Sequence, residues 1–250
     1  MKKIPDRKQG ESAPKTQARA VASEKAASRP ARASGAAEPT DDIRDAISHL
    51  KRERIIAEAV GLFYTQGFAN TTLDAVAERM KVTKPFIYSH FKSKNALLGE
   101  ICSRGIRASL DVANRVTASE GTPTEKLRAL VRDFMLAVIQ NQAHIAIYTR
   151  EEKHLSEEDA AAINDMRREF DRKLCDLLDQ GIAAEEFIVE DVKLAALAIG
   201  GIVSWSYVWY RPEGRLTAGE TAEHVAELVL SMSQVKKRRK HTRPATTEAA

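Results

Sequence analysis

The stretch Thr71 to Leu98, TTLDAVAERMKVTKPFIYSHFKSKNALL, constrains this chain most, because it sets two short helical patterns and the start of a third around one tight turn. Leu73, Val76, Ala77 and Met80 share one face of a helix that opens at Thr71 and Thr72, where a hydroxyl can accept from otherwise unpaired backbone N–H groups. Met80, Lys81 and Val82 break that spacing. Thr83 then offers a second N-cap, with Pro85 inside the first turn, where its missing N–H costs nothing. Ile87 and Phe91 mark the inward face of this second helix, which leaves Lys84, Phe86, Ser89 and His90 outward and Tyr88 at the margin. Aromatic and basic groups on the outside of a short helix suit a major groove, where a helix N-terminus meets base edges and polar groups meet phosphates.

The residues Val76-Ala77, Met80-Lys81-Val82-Thr83, Ile87-Tyr88-Ser89-His90-Phe91 and Lys94-Asn95-Ala96-Leu97 resemble the DNA-binding domain of TetR-family regulators, over Ile47 to Glu100. Lys81 departs from the family pattern by standing where glycine is usual, which costs a modest amount if the turn needs a positive φ. Pro85 stands where another small residue is usual, and it fits a first helical turn. The resemblance implies an all-α fold, with an N-terminal helix-turn-helix domain of three helices and a C-terminal helical domain for ligand binding and dimerisation. On the reading head, Lys84, Pro85 and Phe86 are expected near base edges. Thr72, Thr83, Tyr88, His90 and Lys94 are expected on phosphates, with packing of Tyr88 against the first helix left open.

Charge follows the same division. Residues 1–42 carry nine basic and six acidic side chains, residues 43–95 nine and five, residues 96–235 fifteen and twenty-three, and residues 236–250 six and one. The positive field therefore lies on the helix-turn-helix and both tails, while the larger remaining domain is acidic and repelled by DNA. This gives a basic arm over 1–42, too poor in large apolar side chains to order itself, a DNA-binding domain over 43–95, an effector and dimerisation domain over 96–235, and a basic disordered tail over 236–250. Either tail adds phosphate contacts or is simply solvated.

The remaining chain reads as helices. The first runs from Ile43 to Gln66, with Ile55, Ile56, Ala59, Val60 and Phe63 inward and Gly67 as its stop. A fourth starts at Ser93 and runs toward Ser119, linking the two domains. Further helices are expected from Thr124 to Asn141, Ala143 to Lys153, and Ser156 to Gln180, ending before Gly181. The eighth, Asp191 to Tyr210, is apolar nearly all round, so its neighbours must cover it on every side. Together with a ninth, Thr217 to Gln234, it suggests a four-helix interface between two copies, which sets two reading helices ~34 Å apart for a palindromic operator in double-stranded DNA.

Cys102 and Cys175 have no metal-ligand spacing, and neither a phosphate loop nor a catalytic constellation is present, so no enzyme activity and no cofactor are expected. The longest apolar run, Leu194 to Val203, is about half of a bilayer crossing, which points to a cytoplasmic protein without a membrane partner.

A second resemblance lies in the C-terminal half, in Tyr148 to Leu155, Met166 to Phe170, Gly181-Ile182, and Trp205 with Trp209 to Leu216. These are similar to the branch of the family that answers to CoA thioesters in fatty-acid, phenylacetate and steroid-ring breakdown. An acyl-CoA needs an apolar tunnel and cationic groups for its phosphates. Phe134, Ile147, Phe170 and Trp205 are candidates for the first, with ordinary core or dimer packing as the alternative. Arg150, Arg167, Arg168 and Arg211 are candidates for the second, with salt bridges to Glu151, Glu169 or Glu213 as the alternative. The resulting expectation is a repressor released by a hydrophobic effector such as an acyl-CoA. A xenobiotic-sensing repressor of an efflux gene and a DNA-binding accessory protein without an effector stay open.

Overall fold

Ten α-helices and one short 3-10 turn order the part of the chain that the computed structural model describes, residues 39–233, with side chains from Ile43 onward. They are α1 (Pro39–Gln66), α2 (Leu73–Met80), α3 (Lys84–His90), α4 (Lys94–Ala118), α5 (Pro123–Gln140), α6 (Gln142–Glu151), the 3-10 turn Glu152–His154, α7 (Glu157–Ala183), α8 (Val192–Ser204), α9 (Ser206–Trp209) and α10 (Ala218–Ser233). No strand occurs among the described residues, as the all-α reading expects. The predicted arm and tail lie outside the described residues, except Pro39–Asp42, which begin α1.

Local chemistry sets most boundaries. Gly67 ends α1 at φ 83°. The Thr72 hydroxyl accepts from the Ala75 amide at 3.0 Å, that of Ser93 from Ala96 at 3.1 Å, and that of Ser156 from Asp159 at 3.1 Å. Thr122 and Glu125 close a reciprocal capping box at α5. Thr83 holds the N-cap position of α3, but its hydroxyl makes no capping bond.

Two cores result. In the first, Ile55, Ile56 and Phe63 of α1 meet Leu73 and Val76 of α2, Ile87 of α3, and Leu97, Leu98 and Ile101 of α4. Each such side chain, fully buried, contributes about 1.5–3 kcal/mol. Ile147 of α6 and Ile163 of α7 complete this core, so the first turns of α4, beyond the boundary expected at residue 95, pack with α1 to α3. In the second, α4, α5, α7, α8 and α10 gather around Val131, Phe134, Leu174, Leu178, Ile199 and Val229.

Two helix ends differ from expectation. α7 runs through Gly181 to Ala183, and the glycine instead admits Phe187, whose ring would lie 1.9 Å from a Cβ there. The helix stops instead where Glu185 turns left-handed at φ 59°. The segment Asp191 to Tyr210 is not one helix: it breaks at Ser204–Trp205 into α8 and the single turn α9. Val192–Trp209 has the apolar content of a membrane span. Its regular helix, however, is about 20 Å long against a hydrocarbon core of about 30 Å.

Candidate nucleic-acid interface and internal cavity

The helix expected to read DNA is α3, which follows α2 and precedes α4. Its turn with α2 places Lys81 at φ 57°, ψ 41°, so the left-handed conformation that favours glycine is present and carried by lysine. Thr83, Lys84, Pro85, Tyr88 and Ser89 are exposed. Lys84 pairs with Asp74 on α2, an exposed ion pair that raises the lysine's pKa through its hydrogen bond and charge. Thr72 is exposed beside this surface, its hydroxyl already capping α2.

One flank of α3 differs from the sequence reading. Tyr88 is 51% exposed, whereas Phe86 and His90, expected outward, are half-buried. Their rings meet edge-on at 5.2 Å, with the Lys51 ammonium 5.8 Å from the Phe86 centroid. The reason lies in α1, whose Lys51 and Arg52 lie against the Phe86 and His90 flank and not against Tyr88. Arg52 donates to the His90 carbonyl at 3.0 Å, stacks 4.1 Å from the Phe91 ring and donates to Glu100 at 3.0 Å. Burial, then the charges of Lys51 and Arg52, hold the His90 imidazole below its usual pKa.

Lys94 also differs. Expected on a phosphate, it is half-buried, donates to the Phe68 carbonyl at 2.8 Å and lies 4.1 Å from the centroid of the Phe68 ring. The electron-rich ring face and the carbonyl draw the ammonium inward.

A cavity of about 400 Å³ opens among α4, α5, α6, α7 and α8. Phe134, Phe170, Trp205 and Arg167, four of the ligand-binding candidates, line it, joined by Ile106, Ile145, Tyr148, Asp171 and Leu197, which were not among those candidates. Arg167 donates to the Tyr148 hydroxyl at 3.2 Å. Asp171 has its carboxyl raised by burial and partly restored by Arg167.

Four candidates lie elsewhere. Ile147 is fully buried in the first core, because it sits two residues from Ile145 and so faces the opposite side of α6. Arg150 reaches the Tyr64 carbonyl at 3.2 Å and stacks on the Tyr64 ring at 5.3 Å. Arg168 pairs with Asp165 at 2.9 Å on an exposed face. Arg211 donates to the carbonyls of Val208 and Tyr210 at 2.8 and 2.9 Å and thereby closes α9. None of the three arginines bridges Glu151, Glu169 or Glu213 in these contacts. Among the described residues no group of His, Cys, Asp and Glu is placed to hold a metal ion.

Residues 55–101 match the model of bacterial regulatory proteins of the tetR family, and residues 120–233 match that of the tetracyclin repressor-like C-terminal domain. The HTH-type transcriptional repressor KstR2 of Mycobacterium tuberculosis is 28% identical over 72% of this chain and 91% of its own. The structure of that ketosteroid regulator superposes with a TM-score of 0.67 over 74% of this chain and 95% of its own, at 26% identity. A TetR/AcrR-family regulator from Thermobifida fusca is 32% identical, with a TM-score of 0.60 over 72% of this chain and 96% of its own. AibR, solved with isovaleryl coenzyme A and operator DNA, is 25% identical with a TM-score of 0.62 over 73% and 97%. With both halves matched in order and a structural relative above 30% identity spanned nearly end to end, the chain belongs to the TetR family of transcriptional regulators and is not an enzyme.

Proposed function

We propose that this regulator is a homodimeric repressor that holds a palindromic operator through α3 and releases it when a hydrophobic small molecule, an acyl-CoA, enters the cavity among α4 to α8. The observation that carries the reading is the cavity itself. Its volume falls within the range of small-molecule sites, and its wall is mostly apolar with one cation, Arg167, tied to Tyr148. An acyl group fits that volume, while the nucleotide of a CoA thioester extends beyond it. The relationship to KstR2, and to AibR with its isovaleryl coenzyme A, supports the same ligand class. On the DNA side, Thr83, Lys84, Pro85 and Tyr88 are the groups we assign to bases and phosphates, with Thr72 and His90 at the edges.

The dimer is argued from uncovered apolar surface. Leu194, Leu197, Trp205 and Trp209 of α8 and α9, and Leu228 and Met232 of α10, stand exposed in the single chain. Leu194 and Met232 face one groove between α8 and α10, and exposed apolar surface of this kind marks association surfaces. Leu197 and Trp205 also line the cavity, so a second copy on this face closes it.

Fluorescence anisotropy with a duplex selected from a random-sequence pool tests both halves. Steroid-ring, aryl and short branched acyl-CoAs are expected to release the duplex, and a complex indifferent to all of them removes the effector class while leaving DNA binding intact. Sedimentation of Leu197→Asp and Leu228→Asp is expected to show monomers, and a monomeric wild type overturns the dimer. Asp171 in the cavity wall favours a second reading, a cationic xenobiotic, which release by cationic dyes instead of acyl-CoAs establishes.

A further inference from the structure

Phe68, in the turn between α1 and α2, is gripped from several sides. It is 5% exposed, its amide donates to the Glu151 carboxylate at 3.3 Å, and its carbonyl accepts from Lys94 at 2.8 Å. Its ring lies 5.3 Å from that of Phe63 and 5.3 Å from that of His154. The Phe68 carbonyl also accepts from the Thr71 amide at 3.2 Å, and Thr71, fully buried, returns its hydroxyl to the Gly67 carbonyl at 2.9 Å. The next residue, Thr72, is the N-cap of α2. Any displacement of Phe68 is therefore a displacement of the start of α2, and α2 holds Lys84 of the reading helix through Asp74.

Glu151 stands at the other end of this route. It is the last residue of α6, one helical turn beyond Tyr148 and close to Thr149, both of which line the cavity. Neighbouring Arg150 fixes the same end of α6 to the Tyr64 carbonyl near the end of α1. α6 thus has one face in the cavity and its C-terminal end on the reading domain, in addition to the connection that α4 makes by running from one to the other.

We propose that Glu151 is a positioning residue for DNA reading, which ties the Phe68 turn to the cavity wall so that occupation of the cavity displaces the start of α2. The inference rests on the effector reading of the cavity and adds a route through α6. A carboxylate suits the task, because a charged acceptor on a backbone N–H gives a stronger, more directional bond than a neutral one. Such a two-site link is worth on the order of tenfold in affinity.

Gly200→Leu serves as the probe, since it places side-chain volume on the cavity wall at a position where a Cβ meets nothing within 4 Å. Affinity for the selected duplex is measured by anisotropy for Gly200→Leu alone and combined with Glu151→Ala or Glu151→Gln. Hydrogen exchange of the Phe68 and Thr71 amides is followed in the same proteins. Gly200→Leu is expected to weaken binding by on the order of tenfold in the wild-type and Glu151→Gln backgrounds, where an acceptor oxygen persists, and by less than about twofold with Glu151→Ala. Exchange at Phe68 is expected to quicken most in Glu151→Ala and in Gly200→Leu, and less in Glu151→Gln, whose neutral oxygen accepts more weakly. Equal weakening in all three backgrounds overturns the role of Glu151 and spares the effector reading. No weakening in any background overturns both.

Discussion

The guanidinium of Arg52 donates to the carbonyl of His90 at 3.0 Å and to the carboxylate of Glu100 at 3.0 Å, so one α1 side chain joins the end of the reading helix to α4. The ladder continues one turn on, where Arg104 of α4 makes two bonds of 2.6 Å to Glu53 of α1, a pairing that holds Glu53 below the usual carboxylate range. Arg52→Ala is expected to loosen α3 and weaken binding to all duplexes, and to destabilise by about 1 kcal/mol once solvent screening of a partly exposed pair is allowed for. Arg52→Lys restores the charge but not the planar fork, so it is expected to recover little of either. Recovery of full affinity by lysine in an anisotropy titration counts against the bridging geometry.

Lys94 supplies a second test, since its ammonium is spent on Phe68. Lys94→Ala is expected to lower stability by about 1 kcal/mol in a denaturant titration. The slope of log affinity against log salt is expected to stay within experimental error, whereas loss of a phosphate contact reduces it by about one unit. A slope change of that size returns Lys94 to the DNA surface.

His90 gives a pH dependence with two opposed signs. Its folded pKa lies below the unfolded value, so as pH falls the unfolded chain takes up the proton first. Its contribution to stability is therefore complete above about pH 6.5 and declines as pH drops from there toward the folded pKa. A nearby phosphate favours the imidazolium, so DNA affinity is expected to rise between about pH 7.5 and 6 if His90 faces the backbone. His90→Asn flattens both trends, and comparison with the wild type separates it from His144, which burial and Arg104 shift in the same direction. An affinity rise that survives the substitution removes His90 from the interface.

Ser206, at the start of α9, is fully buried and its hydroxyl has no hydrogen-bond partner among the described residues. A buried polar group left unpaired costs about 1–3 kcal/mol. Ser206→Ala is accordingly expected to stabilise the protein by about 1 kcal/mol, read from the urea midpoint at constant m. A lower midpoint means that the hydroxyl does have a partner.

Local signals carried most of the architecture. Thr83 with Pro85, Gly67, Ser93 and Ser156 each specify a helix end through chemistry within a few residues, and all four ends lie where those residues place them. Gly181 misled because its role is to admit the Phe187 ring, a contact made by the chain after it has turned back. The helix assigned to DNA reading was legible in position but not in its flanks: on a seven-residue helix Phe86 and Tyr88 are equally lateral, and only the path of α1 decides which is covered. The arginines were the hardest. Arg150, Arg168 and Arg211 all found carbonyls or carboxylates within reach of a long flexible stem, and nothing in the linear order distinguishes them from Arg167, whose helix face happens to open on the cavity.

Leu197 and Trp205 stand both on the cavity wall and on the uncovered apolar face of α8. Under the proposed dimer, one pair of side chains then feels the small molecule and the second subunit together, and the two equilibria become linked by mass action. The concentration of small molecule needed for half-response will drift with the amount of protein present, so a cell could retune its sensor by changing nothing but the abundance of the chain.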